Sequence, residues 1–151
     1  MIAKYNNKYY NIKTLDNGET IIWTPQETKD FNKYKTKSGQ FYYAKIIKPE
    51  TVDFFELTFM CNIDKTDLYI EKYHHKTSTI LVTTHNATFA KEHGFHQEND
   101  MWKKEIDITK PTNFTRMLER VFDGKIEKKK LDTESFIKEY TEMVTSLKLK
   151  K

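Results

Sequence analysis

Five histidines fall between positions 74 and 96 (His74, His75, His85, His93 and His96), and the single cysteine, Cys61, precedes them. Histidine and cysteine in one stretch raise the question of a metal site, which needs three or four ligands converging on one ion. Adjacent His74 and His75 point to opposite faces of a strand, and His93-x-x-His96 has no closed-site spacing. These histidines are therefore expected at the surface or at a helix cap, with no metal or other cofactor. Cys61 sits in an alternating apolar run, no Gly-x-Ser-x-Gly turn occurs, and the four glycines are too scattered to form a phosphate-cradling loop. The carboxylate pairs Asp64/Asp67, Glu98/Asp100 and Glu105/Asp107 fall in expected turns or on exposed strand faces, where solvated charge is the ordinary state. No catalytic assignment emerges, and a non-enzymatic protein is expected; a small metal-dependent hydrolase built on the histidines ranks third among the readings.

The sharpest pattern is N-terminal. Tyr5, Tyr9, Tyr10, Trp23, Phe31, Tyr34, Phe41, Tyr42 and Tyr43 are interleaved with Lys4, Lys8, Lys13, Lys33, Lys35, Lys37 and Lys45. Rings edged by lysine are how sequence-tolerant proteins hold single-stranded nucleic acid. Against this, strands recruit aromatic residues in any case, and on a period of two about half must face the core. The rings Tyr10, Trp23, Tyr42 and Tyr43 equally suit a protein partner, because Tyr and Trp supply contact area at low entropic cost. Asp64, Asp67, Glu98 and Asp100 would complement a basic partner, such as a nuclease whose substrate surface must be blocked. The leading functional expectation is thus a protein-binding module, an immunity or inhibitor protein of bacterial or phage type. The alternative is a single-strand or non-specific nucleic-acid binder using the seven lysines.

Charge supports contact with a charged partner. Residues 1–48 carry nine lysines against four acids, residues 49–124 nine basic against thirteen acidic residues, and residues 125–151 eight against five. That layout steers a partner onto one face, or is neutralised when the segments pack. Of 26 basic residues only Arg116 and Arg120 are arginine, which disfavours base-edge readout by the bidentate guanidinium fork. The many Lys, Ile, Asn and Tyr beside four Gly also resemble the codon bias of an AT-rich genome, so part of the basicity is expected to carry no function.

The chain that must position these residues has 151 of them, of which 37% are hydrophobic. That is one ordinary domain with a lean core. Leu, Ile, Val and Phe number 35 against a net charge of +4, which argues against disorder. One cysteine forbids an intrachain disulfide, no apolar run is long enough to span a membrane, and the N-terminus lacks a signal-peptide core. A cytoplasmic protein is expected.

Alternation and turn residues predict strands over 2–5, 9–15, 20–24, 40–47, 52–61, 68–75, 78–84 and 101–108, with weak helical character over 26–34. Asn86 should cap a short helix over 87–93 that Gly94 stops. Phe114, Met117, Leu118, Val121 and Phe122 fit a helical face ending at Gly124, and Lys128-Lys129-Lys130 reads as a linker. Asp132 or Thr133 should cap a last helix carrying Phe136, Ile137, Tyr140, Met143, Val144 and Leu147, with Lys148-Leu149-Lys150-Lys151 at its negative end. The expected fold is α+β and mainly antiparallel, with an SH3-like meander in 1–48, a second β-rich unit with a short helix in 49–110, and two helices in 111–151 packed on the sheet. A shift of 60 residues aligns the first two segments (Tyr9 with Tyr69, Thr24 with Thr84, Ile46 with Ile106). With so few identities, convergent strand chemistry is the preferred explanation over duplication.

Overall fold

The computed structural model describes residues 1–144. It is mostly antiparallel β-sheet with two helices, and so belongs to the α+β class. The strands are β1 (Ile2–Tyr5), β2 (Lys8–Thr14), β3 (Thr20–Thr24), β4 (Asn32–Lys35), β5 (Phe41–Ile47), β6 (Asp53–Ile63), β7 (Thr66–His74), β8 (Thr79–Thr84), β9 (His96–Glu98), β10 (Met101–Asp107), β11 (Asn113–Arg120) and β12 (Ile126–Leu131). The helices are α1 (Ala87–Glu92) and α2 (Thr133–Val144). No helix among the described residues is long and apolar enough to cross a membrane.

The chain divides into two compact units. The first comprises Met1–Leu57, Glu119–Ile126 and residues 141–144 of the described chain; the second comprises Thr58–Leu118 and Glu127–Tyr140. In the first, the strand order is β4-β5-β3-β2-β1, with β1 also paired to the start of β6. In the second, the order is β6-β7-β8-β10-β9. Read from its meander outward, each unit places three successive strands, then the fifth, then the fourth at the edge. The 60-residue shift therefore has a counterpart in topology as well as in strand chemistry. Thr20 pairs with Ile47 in one unit and Thr79 with Asp107 in the other, offsets of 59 and 60 residues.

Turn chemistry explains the meanders. Asn6-Asn7 and Asp64-Lys65 both carry two successive positive φ angles, the geometry whose twist matches two-residue hairpins. In β7 a bulge between Ile70 and Lys72 moves the alternation by one residue. Leu68, Ile70 and Tyr73 consequently all face inward, and Lys72 stays in solvent. Asn86 accepts the Phe89 amide at 3.0 Å and Gly94 follows at φ +74°, so α1 starts and stops where its capping residues require. Asp132 accepts the Ser135 amide at 2.7 Å, which caps α2 and holds the Asp132 carboxyl below its usual range. Leu147 and the basic residues 148–151 lie outside the described residues.

Three sequence expectations are corrected. Residues 113–120 form strand β11, not a helix, so one C-terminal helix, α2, takes the place of two. Phe114 and Leu118 are four apart and share a face in either conformation; buried Arg116 between them marks a period of two. Lys128, Lys129 and Lys130 belong to β12, an exposed strand paired only with β11, and are not a linker. Residues 26–34 turn and then enter β4, where pairing with β5 overrides the weak helical pattern.

The core of the second unit is aromatic. Phe136 of α2 is fully buried, stacked on Phe114 at 4.5 Å and 11°, and meets Phe59 and Tyr73 edge-on at 5.4 and 5.9 Å. The buried Arg116 guanidinium binds Glu139 on the same helix and approaches Glu127 of β12, tying α2 to both strands. Phe136→Ala should therefore cost about 3–5 kcal/mol, as expected for a large core ring removed from a site that cannot collapse. Phe122→Ala, at a residue 91% exposed, should stay within about 0.5 kcal/mol. Urea denaturation of the two variants checks this ordering.

Candidate functional site

In the first unit, β5 lies between β3 and β4, and β4 ends the strand order. All four β4 residues, Asn32, Lys33, Tyr34 and Lys35, are exposed. The register sets Lys33 opposite Tyr43, Tyr34 opposite Tyr42 and Lys35 opposite Phe41. Alternation then puts Lys33, Lys35, Phe41, Tyr43 and Lys45 on one face, and Tyr34 and Tyr42 on the other. Lys33 Nζ stands 4.2 Å and Lys35 Nζ 5.6 Å from the centre of the Phe41 ring, which is 49% exposed. On the opposite face Tyr34 and Tyr42 stack on each other at 5.4 Å and 20°.

The expected partner-binding rings are placed unequally. Tyr10 and Trp23 are core residues, 9% and 5% exposed, which corrects their assignment to a contact surface. Tyr10 packs with Ala3, Ile22 and Ile47, and Trp23 with Ile21 and Ala44. Tyr42 and Tyr43 are half-buried. The exposed rings that sequence reasoning passed over as site residues are Tyr34 and Phe41. The signal for them is β4 itself: a strand with no buried residue must lie at an edge, and the rings opposite it are then uncovered.

The seven lysines are also divided. Lys8 shares the face of Lys33, Lys35 and Lys45; Lys4 and Lys13 take the other face, and Lys37 lies in the β4–β5 turn. Lys4 Nζ sits 5.7 Å from the Tyr9 ring centre. Among the described residues none of the seven has a carboxylate within 4.0 Å.

The acidic candidates behave differently. Asp64 and Asp67 flank the β6–β7 turn, and Glu98 and Asp100 flank the β9–β10 turn; antiparallel pairing brings both turns to the same end of the second unit's sheet. Most of this charge is already engaged. Asp64 accepts His93 Nε2 at 3.0 Å, Asp67 accepts the Asn62 amide at 2.9 Å, and Glu98 faces His96 at 3.8 Å and Lys103 at 4.0 Å. Elsewhere Lys103 pairs with Glu71 at 3.1 Å and His74 with Glu105 at 3.3 Å. The second unit's acids are thus largely answered within the unit.

His74 and His75 do part company, His75 Nδ1 meeting the Tyr73 hydroxyl at 2.9 Å. No group of three or more His, Cys, Asp or Glu side chains that would hold a metal occurs among the described residues. Cys61 is buried, and burial, with Asp67 nearby, pushes its thiol up to about 12. Such a thiol carries almost no thiolate at neutral pH.

His93 closes α1. Its Nδ1 lies 2.9 Å from the Phe89 carbonyl and its Nε2 3.0 Å from Asp64, so both ring nitrogens face acceptors. Only the imidazolium donates to both. The hydrogen bond that His93 donates to Asp64, then the one it donates to the Phe89 carbonyl, raise its pKa above the ordinary value, and Glu92 adds to the shift. Lys104 Nζ donates to the His93 carbonyl at 2.6 Å.

Comparisons of this chain with protein-family models, with curated proteins and with solved structures found no match.

Because the folded-state pKa is raised, the His93–Asp64 contact contributes fully below about pH 6.5 and is lost as pH climbs through the shifted value. NMR titration should place His93 above 6.5, with Asp64→Asn moving it back down; a His93 value at or below 6.5 would contradict the geometry.

Proposed function

We propose that the protein is a non-enzymatic nucleic-acid-binding module that uses the β4–β5 hairpin without reading sequence. One observation carries this reading: the exposed Phe41 ring, the half-buried Tyr43 ring and the lysines Lys33, Lys35 and Lys45, which have no carboxylate within 4.0 Å among the described residues, occupy the same face of one edge hairpin. An ammonium over an exposed ring is worth about 0.5–1 kcal/mol, and a stacked base about 1–3 kcal/mol. Exchanging one for the other on Phe41 is therefore favourable, and it frees Lys33 and Lys35 for phosphate. Both arginines are engaged elsewhere, Arg116 with Glu139 and Arg120 with Asp123 at 2.7 Å, which leaves the hairpin without a guanidinium fork for base edges.

A second reading, a protein-binding immunity or inhibitor module, rests on the gathering of Asp64, Asp67, Glu98 and Asp100 at one sheet end. It ranks second because three of these four are already paired. We also propose an SH3-like form for the first unit and a ββαβ kinship for the second; neither bears on function.

Binding of a fluorescein-labelled oligonucleotide should weaken steeply between 50 and 200 mM salt, since lysine contacts release counterions from phosphate. Lys33→Glu with Lys35→Glu should lower the affinity by about 100-fold or more, each charge reversal removing one contact and adding a repulsion. Unchanged affinity in that double variant, or binding indifferent to salt, would defeat the proposal. A stoichiometric protein partner recovered from nuclease-treated lysate, and lost on neutralising the four acids, would favour the second reading.

A further inference from the structure

We infer that the hairpin takes an unpaired, extended nucleic-acid strand, seating successive bases on Phe41 and Tyr43 with Lys35 and Lys33 at their phosphates, one nucleotide to each cross-strand rung. This deepens the nucleic-acid reading above and rests on it.

The register supplies the geometry. Phe41 opposes Lys35, and Tyr43 opposes Lys33, on one face. Two residues apart along a strand, the rungs repeat at about 6.8 Å. Bases stacked in a duplex strand rise about 3.4 Å each, half the distance between rungs. Neighbouring bases must unstack to seat one on each ring, and only a single strand unstacks without breaking pairs. Duplex bases have their faces already covered by neighbours, so a duplex offers these rings nothing beyond its phosphates.

The surroundings agree. Lys45, two residues beyond Tyr43, continues the ring row along β5, opposite Ile22 of β3, and ends it with a third ammonium on the same face. On the other face, Tyr34 and Tyr42 occupy each other's ring surfaces and form a weaker platform. Rings and lysines make no demand on base identity, so the site selects strandedness and not sequence.

The test uses the full chain and two fluorescein-labelled probes, a twelve-nucleotide thymidine strand and the same strand annealed to its complement. The single strand should bind about ten-fold tighter or more. Phe41→Leu should reduce single-strand affinity by about ten-fold while leaving duplex binding and the melting temperature unchanged. Lys33→Gln with Lys35→Gln should flatten the salt slope of single-strand binding by about 1.4, from about 0.7 per lysine. Tyr43→Leu repeats the ring test at the second rung.

Equal binding of strand and duplex would overturn the inference and leave the nucleic-acid reading standing. Binding of neither would overturn both. Single-strand affinity indifferent to both ring variants would place the contact elsewhere and overturn the inference. Displacement of the strand by polyglutamate as readily as by unlabelled strand would show a surface for any acidic chain, an acidic protein included, and would overturn it too.

Discussion

The backbone ladder between β3 and β5, from Thr20 opposite Ile47 to Thr24 opposite Tyr43, sets what the first unit can present. Once β5 takes the place beside β3, β4 can pair only with the far side of β5 and becomes the edge. An edge strand cannot bury both faces of the strand beside it. Ile47 and Ala44, deeper along β5, join the two small cores, Tyr42 is half-buried against one of them, and Phe41, at the start of β5, is left at the surface. Lysines on β4 suit such an edge, because a charged edge resists pairing with a stray chain. The same charges that protect the edge equip it to meet an anion.

The second unit uses the same strand order to a different end. There α1 enters between the third and fourth strands, and Lys91 covers the Trp102 ring of β10 at 5.9 Å. Lys103 is held by Glu71 and Glu98, and Lys104 by the His93 carbonyl. The second unit's edge strand β9 is as exposed as β4, but the lysines of β10 beside it, Lys103 and Lys104, are held by partners. Among the described residues, six of the thirteen acids over 49–124 (Asp53, Asp64, Glu71, Glu98, Glu105 and Asp123) pair locally with lysine, arginine or histidine. Among the described residues the lysines of 1–48 have no carboxylate within 4.0 Å. Linear charge segregation alone cannot distinguish these outcomes, since both segments look equally available for steering.

Much of the architecture was legible in the residues. Most strand positions were, because Tyr, Ile and Val alternate with polar residues and Asn-Asn, Asn-Gly and Gly94 punctuate them. The helix caps at Asn86 and Asp132 were legible too, since a side-chain acceptor before an apolar run satisfies amides that the helix itself leaves free. Residues 113–120 were misread for an equally physical reason: Phe114 and Leu118, four apart, satisfy a helix and a strand alike. Only the pairing with β6 and β12 chose between them.

By itself, then, the sequence determined local conformation and composition: an α+β chain, lean in apolar residues, with its rings and lysines concentrated near the N-terminus. Which rings face solvent was decided by tertiary structure, since that depends on strand order and strand order arises from non-local hydrogen bonding. Tyr10 and Trp23 look as available as Phe41 and Tyr34 when read along the chain. They are buried because the fold packs Tyr10 against Ala3, Ile22 and Ile47 and Trp23 against Ile21 and Ala44, while Phe41 and Tyr34 fall on the edge hairpin beyond those clusters.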